Sequence, residues 1–285
     1  MFRAGSEACF FLLGRDGRGW SSGGSWFLGG RLLEESIEAF EVIRIDEVDA
    51  GVDQAIDPDV RLGAGGLVQG KRRQDGEPTE RLVLYRCGDG TPFARKRVDY
   101  RGSAVAPEFV FEDARIGYRE GLRRRTGVES VWVREGQGEA ERSAPLRDDA
   151  RLVADAGFDE FIRDNWTPLV AGESVPLRFA VPSRLESLGF KVNRQGSAQF
   201  GGEPAETFRL RLGGLLGWIA PHIDVAYGRE TRRLLWFQGL SNLRDDRGDE
   251  QLQARIDFPR PAQPADEARW QALASEPLSA CRVRG

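Results

Sequence analysis

Residues that usually carry chemistry are scarce in this 285-residue chain. Histidine occurs once, as His222, and methionine once, as Met1. The three cysteines, Cys9, Cys87 and Cys281, fall in no metal-ligand spacing, so no zinc or iron–sulfur site is expected. No apolar run approaches the roughly 18 residues of a membrane-spanning helix. No Gly-x-Ser-x-Gly elbow occurs, which removes the commonest hydrolase signature. Net charge is −4 and evenly spread, where a nucleic-acid binder would carry a concentrated basic face. Lysine is nearly absent too. Lys71, Lys96 and Lys191 stand among 41 basic residues, and the rest are arginines. The plain reading is a GC-rich genome rather than an arginine-specific function. Cys87 and Cys281 would pair in an exported protein, but free or buried thiols are the simpler expectation.

Residues 1–80 read as a poorly ordered extension, consistent with a wrongly assigned start. Gly, Ser and Arg dominate up to Arg31, and Cys9–Leu13 is too short for a signal-peptide core. Leu32, Leu33, Ile37, Phe40 and Arg44 lie near helical spacing, which predicts one short helix over 31–45. The stretch 46–80 is again rich in Gly, Asp and Arg, a composition that rarely orders.

From Arg81 the pattern changes to period two. Leu82–Cys87 and Phe93–Tyr100 flank a Gly-Asp-Gly turn, which supplies the positive φ angles a hairpin needs. Glu108–Asp113, Ile116–Arg124 and Val128–Arg134 follow as further strands. The period then becomes 3.6. Phe158, Phe161, Ile162, Trp166 and Leu169 share one face of a helix over 157–166, with Asp155 placed to cap it and Pro168 to end it. Strands resume at Ser174 and continue through Leu188–Val192, Phe208–Leu212, Ile223–Tyr227, Leu234–Leu240 and Gln251–Phe258. Residues 259–285 form a Pro-rich tail with a short helix over 265–273 that carries Trp270. The expected fold is α+β. A strongly curved antiparallel β-sheet, a half-barrel or barrel over residues 81–258, wraps around one amphipathic aromatic helix.

Two stretches carry a resemblance. The first is the hairpin Leu82–Tyr100 with its Asp89-Gly90 turn and its Lys96-Arg97-Val98-Asp99-Tyr100 close. The second runs from Tyr227 through Arg232-Arg233-Leu234-Leu235 and Gly239-Leu240-Ser241-Asn242 to Ile256-Asp257-Phe258-Pro259. Together they resemble the DUF3108-type exported proteins of Gram-negative bacteria, associated with the half-barrel superfamily of lipoprotein carriers. The resemblance covers roughly residues 81–259. It implies a periplasmic location and carries over no catalytic residue.

Candidate chemistry is thin. His222 and Asp224 lie two apart on one strand and so share a face, but a surface pair explains them as well as a triad does. Asp155, Asp159, Glu160, Asp164, Asp245 and Asp246 show no spacing that singles out a glycosidase pair. The run 245–249 lacks the full calcium-loop pattern and reads as a solvated turn. Arg123, Arg124 and Arg125 alternate across a strand and build no continuous patch. The aromatic set Phe109, Phe111, Phe161, Trp166, Phe179, Phe190, Phe208 and Trp218 is the strongest feature. It reads either as ordinary core, the plainer choice because interiors pack densely, or as the lining of an apolar ligand cavity. The leading expectation is a non-enzymatic periplasmic protein that binds a hydrophobic ligand or lipidated partner. The alternative is a structural or interaction protein with a filled core, and third comes a hydrolase using His222 and Asp224. No cofactor, metal, nucleic-acid partner or membrane-spanning segment is expected.

Overall fold

A computed structural model describes residues 25–28, 31–47, 65–147, 149–214, 221–258 and 265–282, with side chains from residue 67 onward. The strands are β1 (Ser25–Leu28), β2 (Arg31–Glu47), β3 (Gly65–Gln74), β4 (Glu77–Arg86), β5 (Pro92–Asp99), β6 (Glu108–Asp113), β7 (Tyr118–Arg125), β8 (Val128–Arg134), β9 (Arg142–Pro145) and β10 (Leu152–Val153). After two short helices, α1 (Phe158–Asp164) and α2 (Trp166–Val170), come β11 (Val175–Val181), β12 (Glu186–Phe200), β13 (Glu203–Leu212), β14 (Ile223–Gly228), β15 (Leu234–Arg244) and β16 (Gln251–Asp257). Helix α3 (Glu267–Ser275) follows.

The strands form two antiparallel meanders. β2 to β9 pair in chain order, and so do β11 to β16. β16 then pairs antiparallel with β2, through Ala254–Glu47, Arg255–Asp46 and Ile256–Ile45, which joins the last strand to the first meander. The two free edges of the sheet are therefore β9 and β10, neighbours in the chain, and α1 and α2 sit at that seam. A sheet of this many strands curls under its own twist. Here the edges close by packing. Val131 of β8, Leu152 of β10 and Ala180 of β11 share one buried cluster, and the Ala154 N–H donates to the Val105 carbonyl at 3.0 Å. Gly157 stands at this closure because a Cβ there would collide with the Val105 carbonyl.

The expected aromatic helix face is buried. Phe158, Phe161, Ile162, Trp166 and Leu169 pack with Leu177, Val192, Phe208 and Val225 of the second meander. Three local expectations are corrected. The short helix over 31–45 is instead the long strand β2. Its β-branched Ile37, Val42, Ile43 and Ile45 favour extended backbone, and pairing on both sides overrides the helical spacing. Strands β2, β3 and β4 all begin before Arg81, while residues 1–24 and 48–64 lie outside those described. The aromatic helix also does not end before Pro168. It breaks at Asn165 and resumes as α2, where Pro168 falls in the first turn and needs no intrahelical N–H partner. Asp155 does not cap α1, whose N-terminus has no side-chain cap; it serves a different role, described below.

The tail from α3 onward is strapped along the outer face of β3 to β5. Arg72 meets Glu267 at 2.5 and 2.6 Å, Arg86 meets Glu276 at 2.6 and 2.9 Å, and Arg97 donates to the Ala274 carbonyl at 2.6 Å. The Ser279 N–H donates to the Pro92 carbonyl at 2.8 Å, and Trp270 is buried beneath the Arg72 guanidinium. A Cys87–Cys281 disulfide, with Cα atoms 6.6 Å apart, ends the strap. Free thiols were the simpler expectation; the spacing of 194 residues hides a pair that the fold brings together. Such a link should contribute about 2–5 kcal/mol through the restricted unfolded chain. Urea unfolding with and without reductant should show that loss, and C87A/C281A should reproduce it; identical midpoints would contradict the clasp.

Candidate ligand cavity

Directly paired residues share a face of the sheet, so register alone shows what each meander turns inward. In the first meander one inward row runs Gln69–Val83–Lys96–Phe111–Glu120–Val133 across β3 to β8. In the second, a row runs Phe208–Val225–Phe237–Ile256 across β13 to β16. One wall thus carries a lysine and a glutamate, and the other is apolar throughout.

Between them lies a cavity of about 510 Å³. That falls within the roughly 300–1,000 Å³ typical of small-molecule sites. Its apolar side includes Phe179, Phe190, Leu212, Ile223, Val225 and Phe237. Several of these inward side chains are only half-buried, as are Leu188, Leu234 and Ile256: Phe179, Phe190, Ile223 and Phe237 pack on one side against the core clusters and leave the other side to the cavity. The lining reaches exposed residues at Arg184 and Pro221, where the cavity meets solvent. Phe158 and Asp159 of α1 also line it.

Two buried polar clusters stand on the lining. In the first, the Lys96 ammonium donates to Asp155 at 2.7 Å and to the Asn242 carbonyl oxygen. The Asn242 amide donates to Glu120 at 2.5 Å, and the Tyr118 hydroxyl donates to the other Glu120 oxygen at 2.7 Å. Burial pushes the Glu120 carboxyl up, toward its neutral form, despite the hydrogen bonds from Tyr118 and Asn242. Burial pushes the Lys96 ammonium the other way, but Asp155 overrides it and the net shift is upward. In the second cluster, Arg81 donates to Asp159 at 3.0 Å and to Gln69 at 2.6 Å, and the Tyr227 hydroxyl donates to Asp159 at 2.8 Å. The Lys71 ammonium lies 3.8 Å from the same carboxylate. Burial would raise the Asp159 carboxyl, but Arg81 and Lys71 hold it at about 2. Burial, and then the neighbouring Arg81 charge, bring Lys71 down to about 8.

Of the expected lining residues, Phe109, Phe179 and Phe190 face the cavity. Phe111, Phe161, Trp166 and Phe208 are instead buried in the packed clusters around it, and Trp218 lies outside the described residues. Pattern reading missed the polar lining altogether. A signal was present: two of only three lysines, Lys71 and Lys96, are interior, and Tyr118 and Glu120 alternate in phase with the inward row.

The other candidates take ordinary structural roles. The His222 ring lies 3.4 Å from Asp224 but is exposed, and Arg209 holds the Asp224 carboxylate at 2.5 and 2.7 Å. No serine hydrogen-bonds His222 among the described residues. Asp245 accepts from the Asp249 N–H at 2.8 Å within its turn, and Asp246 meets Arg115 at 2.8 Å. Arg123 pairs with Glu141 and Arg124 with Glu129, so the three-arginine run is partly neutralised. Among the described residues there is no cluster of His, Cys, Asp and Glu that could hold a metal ion, and no helix is long and apolar enough to cross a membrane.

No protein-family model matches the chain, and no curated protein matches it. Among solved structures, it is similar to the crystal structure of a β-barrel-like protein of a domain of unknown function, DUF1849, from Brucella abortus. The match has 10% identity and a TM-score of 0.38, covering 81% of this chain and 98% of that one. At this distance the likeness bears on nothing further.

Asp159 offers the sharpest test of the lining. Asp159→Asn leaves Arg81 and Lys71 buried around a neutral amide, which should cost about 3–5 kcal/mol at pH 7. The folded carboxyl titrates near 2 against an ordinary 3.8. Its stabilisation is therefore complete above the ordinary value and lost as pH falls through the folded one. The gap in urea midpoint between wild type and D159N should shrink steadily from pH 5 to pH 2. A gap that does not change with pH would refute the assignment.

Proposed function

We propose that this protein is a non-enzymatic binding protein of the cell envelope that holds a hydrophobic ligand, or the lipid part of a lipidated partner, inside its barrel. The observation that carries the reading is the set of half-buried apolar side chains turned inward around the cavity. A structural protein with a filled core would also cover the accessible sides of Phe179, Phe190 and Phe237, because a void forfeits dispersion contacts; here those sides border the cavity. The Cys87–Cys281 disulfide supports a periplasmic location, since such bonds persist in oxidising compartments. So does the resemblance to the DUF3108-type exported proteins at Leu82–Tyr100 and Tyr227–Pro259. A hydrolase reading is disfavoured by the commitment of Asp224 to Arg209 and by the exposure of His222.

Native mass spectrometry of the full chain purified from a membrane-containing host should show an adduct that lipid extraction removes. The extracted protein should then bind a solvatochromic naphthylamine probe. Ile223→Trp, which fills the cavity from the apolar wall, should weaken that probe by roughly tenfold or more while leaving the fold intact. A bare mass, together with no probe binding by the extracted protein, would overturn the reading.

A further inference from the structure

The lining also indicates what kind of ligand head the cavity receives. This rests on the binding reading above. The described charges that line the interior are matched within the protein. Lys96 is held by Asp155, Arg81 by Asp159, and the exposed Arg184 at the rim by Glu186 at 3.0 Å. Lys71 shares Asp159 with Arg81 and stands outside the lining. An ionised head buried here would lose its hydration with no unclaimed counter-charge to meet it. Hydrogen-bonding capacity, by contrast, is left over. The Asn242 amide has a second N–H beyond the one given to Glu120, and the Tyr85 hydroxyl beside Lys96 lines the same space. Ser241 and Gln251 line it as well, but the Ser241 hydroxyl is given to the Leu252 carbonyl and the Gln251 amide to the Ser241 carbonyl. Glu120 also lines this wall, its two oxygens already met by the neutral Asn242 and Tyr118 donors while burial shifts its carboxyl upward.

Opposite stands an apolar wall: Phe179 of β11, Phe190 of β12, Ile223 and Val225 of β14, Phe237 of β15 and Ile256 of β16. At about 30 Å³ per water-sized group, the 510 Å³ volume has room for most of one long chain with its head and not for two, the chain end reaching the solvent opening at Arg184 and Pro221. We propose that the cavity takes an uncharged single-chain amphiphile, its chain along Phe179, Phe190, Ile223 and Phe237 and its hydroxyl- or amide-bearing head against Lys96, Asn242 and Glu120.

Probe displacement from the delipidated full-length protein tests this with heads varied on one chain. The competitors are 1-monopalmitoylglycerol, palmitate, hexadecylamine and a diacylglyceryl-cysteine peptide. The monoacylglycerol should compete roughly tenfold or more better than either ionised amphiphile. Glu120→Gln, which keeps a hydrogen-bonding group at that position, should leave that preference in place. Asn242→Leu should weaken the monoacylglycerol and spare the headless naphthylamine probe, which also reports that the variant is folded. Palmitate or the amine competing as well as the monoacylglycerol would overturn the neutral head. The lipopeptide competing best would overturn the single chain and point to a lipidated protein as the source. Probe binding with no displacement by any of the four would overturn the amphiphile while sparing the cavity; no probe binding at all would remove the reading beneath it.

Discussion

The structure depends on how one short helical insertion is anchored between two meanders. Asp159 of α1 takes Arg81 of β4 on one side and Tyr227 of β14 on the other. Asp155, just before α1, takes Lys96 of β5, which reaches Asn242 of β15. Two aspartates four residues apart thus tie both halves of the sheet to the seam where its edges meet. Each is a buried charge with a specific partner, the arrangement in which loss of one member is most damaging. Without them the insertion would have only its aromatic face to hold it, and the sheet only packing contacts to close it.

That anchoring has a consequence for the interior. Charged anchors need inward-facing partners, so the first meander places Arg81, Lys96 and Glu120 on rows that elsewhere carry Val83, Phe109 and Val133. The second meander has fewer anchors to supply and keeps Val225, Phe237 and Ile256 in its row. The space between is amphipathic because of how the fold is closed. Arg81 and Lys96 on the polar wall are paired with Asp159 and Asp155 from within, while some of its hydrogen-bonding capacity stays open to the space.

Much of the fold was legible in the residues. The alternation at Glu108–Asp113 and Val128–Arg134 marks strands with those same bounds, and the face Phe158–Phe161–Ile162–Trp166–Leu169 is buried as its spacing implies. What failed did so for long-range reasons. β2 has helical spacing in isolation and becomes a strand because β16 and β3 flank it. The Cys87–Cys281 pair depends on a strap that spacing does not reveal. Aromatic content pointed to the interior but not to which rings pack and which line: Phe208 is fully buried while Phe237, directly opposite Val225 in the same inward row, borders open space. Asp155 and Asp159 were visible only as two carboxylates among many, since their partners lie 59 and 78 residues away.

The central claim is that the curled sheet encloses open apolar space beneath α1 rather than a filled core. Diffraction from delipidated crystals under xenon pressure addresses it directly, because dry apolar cavities take up xenon. Anomalous density should appear between Phe179, Phe190, Ile223 and Phe237. Those four side chains in mutual contact, with no xenon between them, would contradict it.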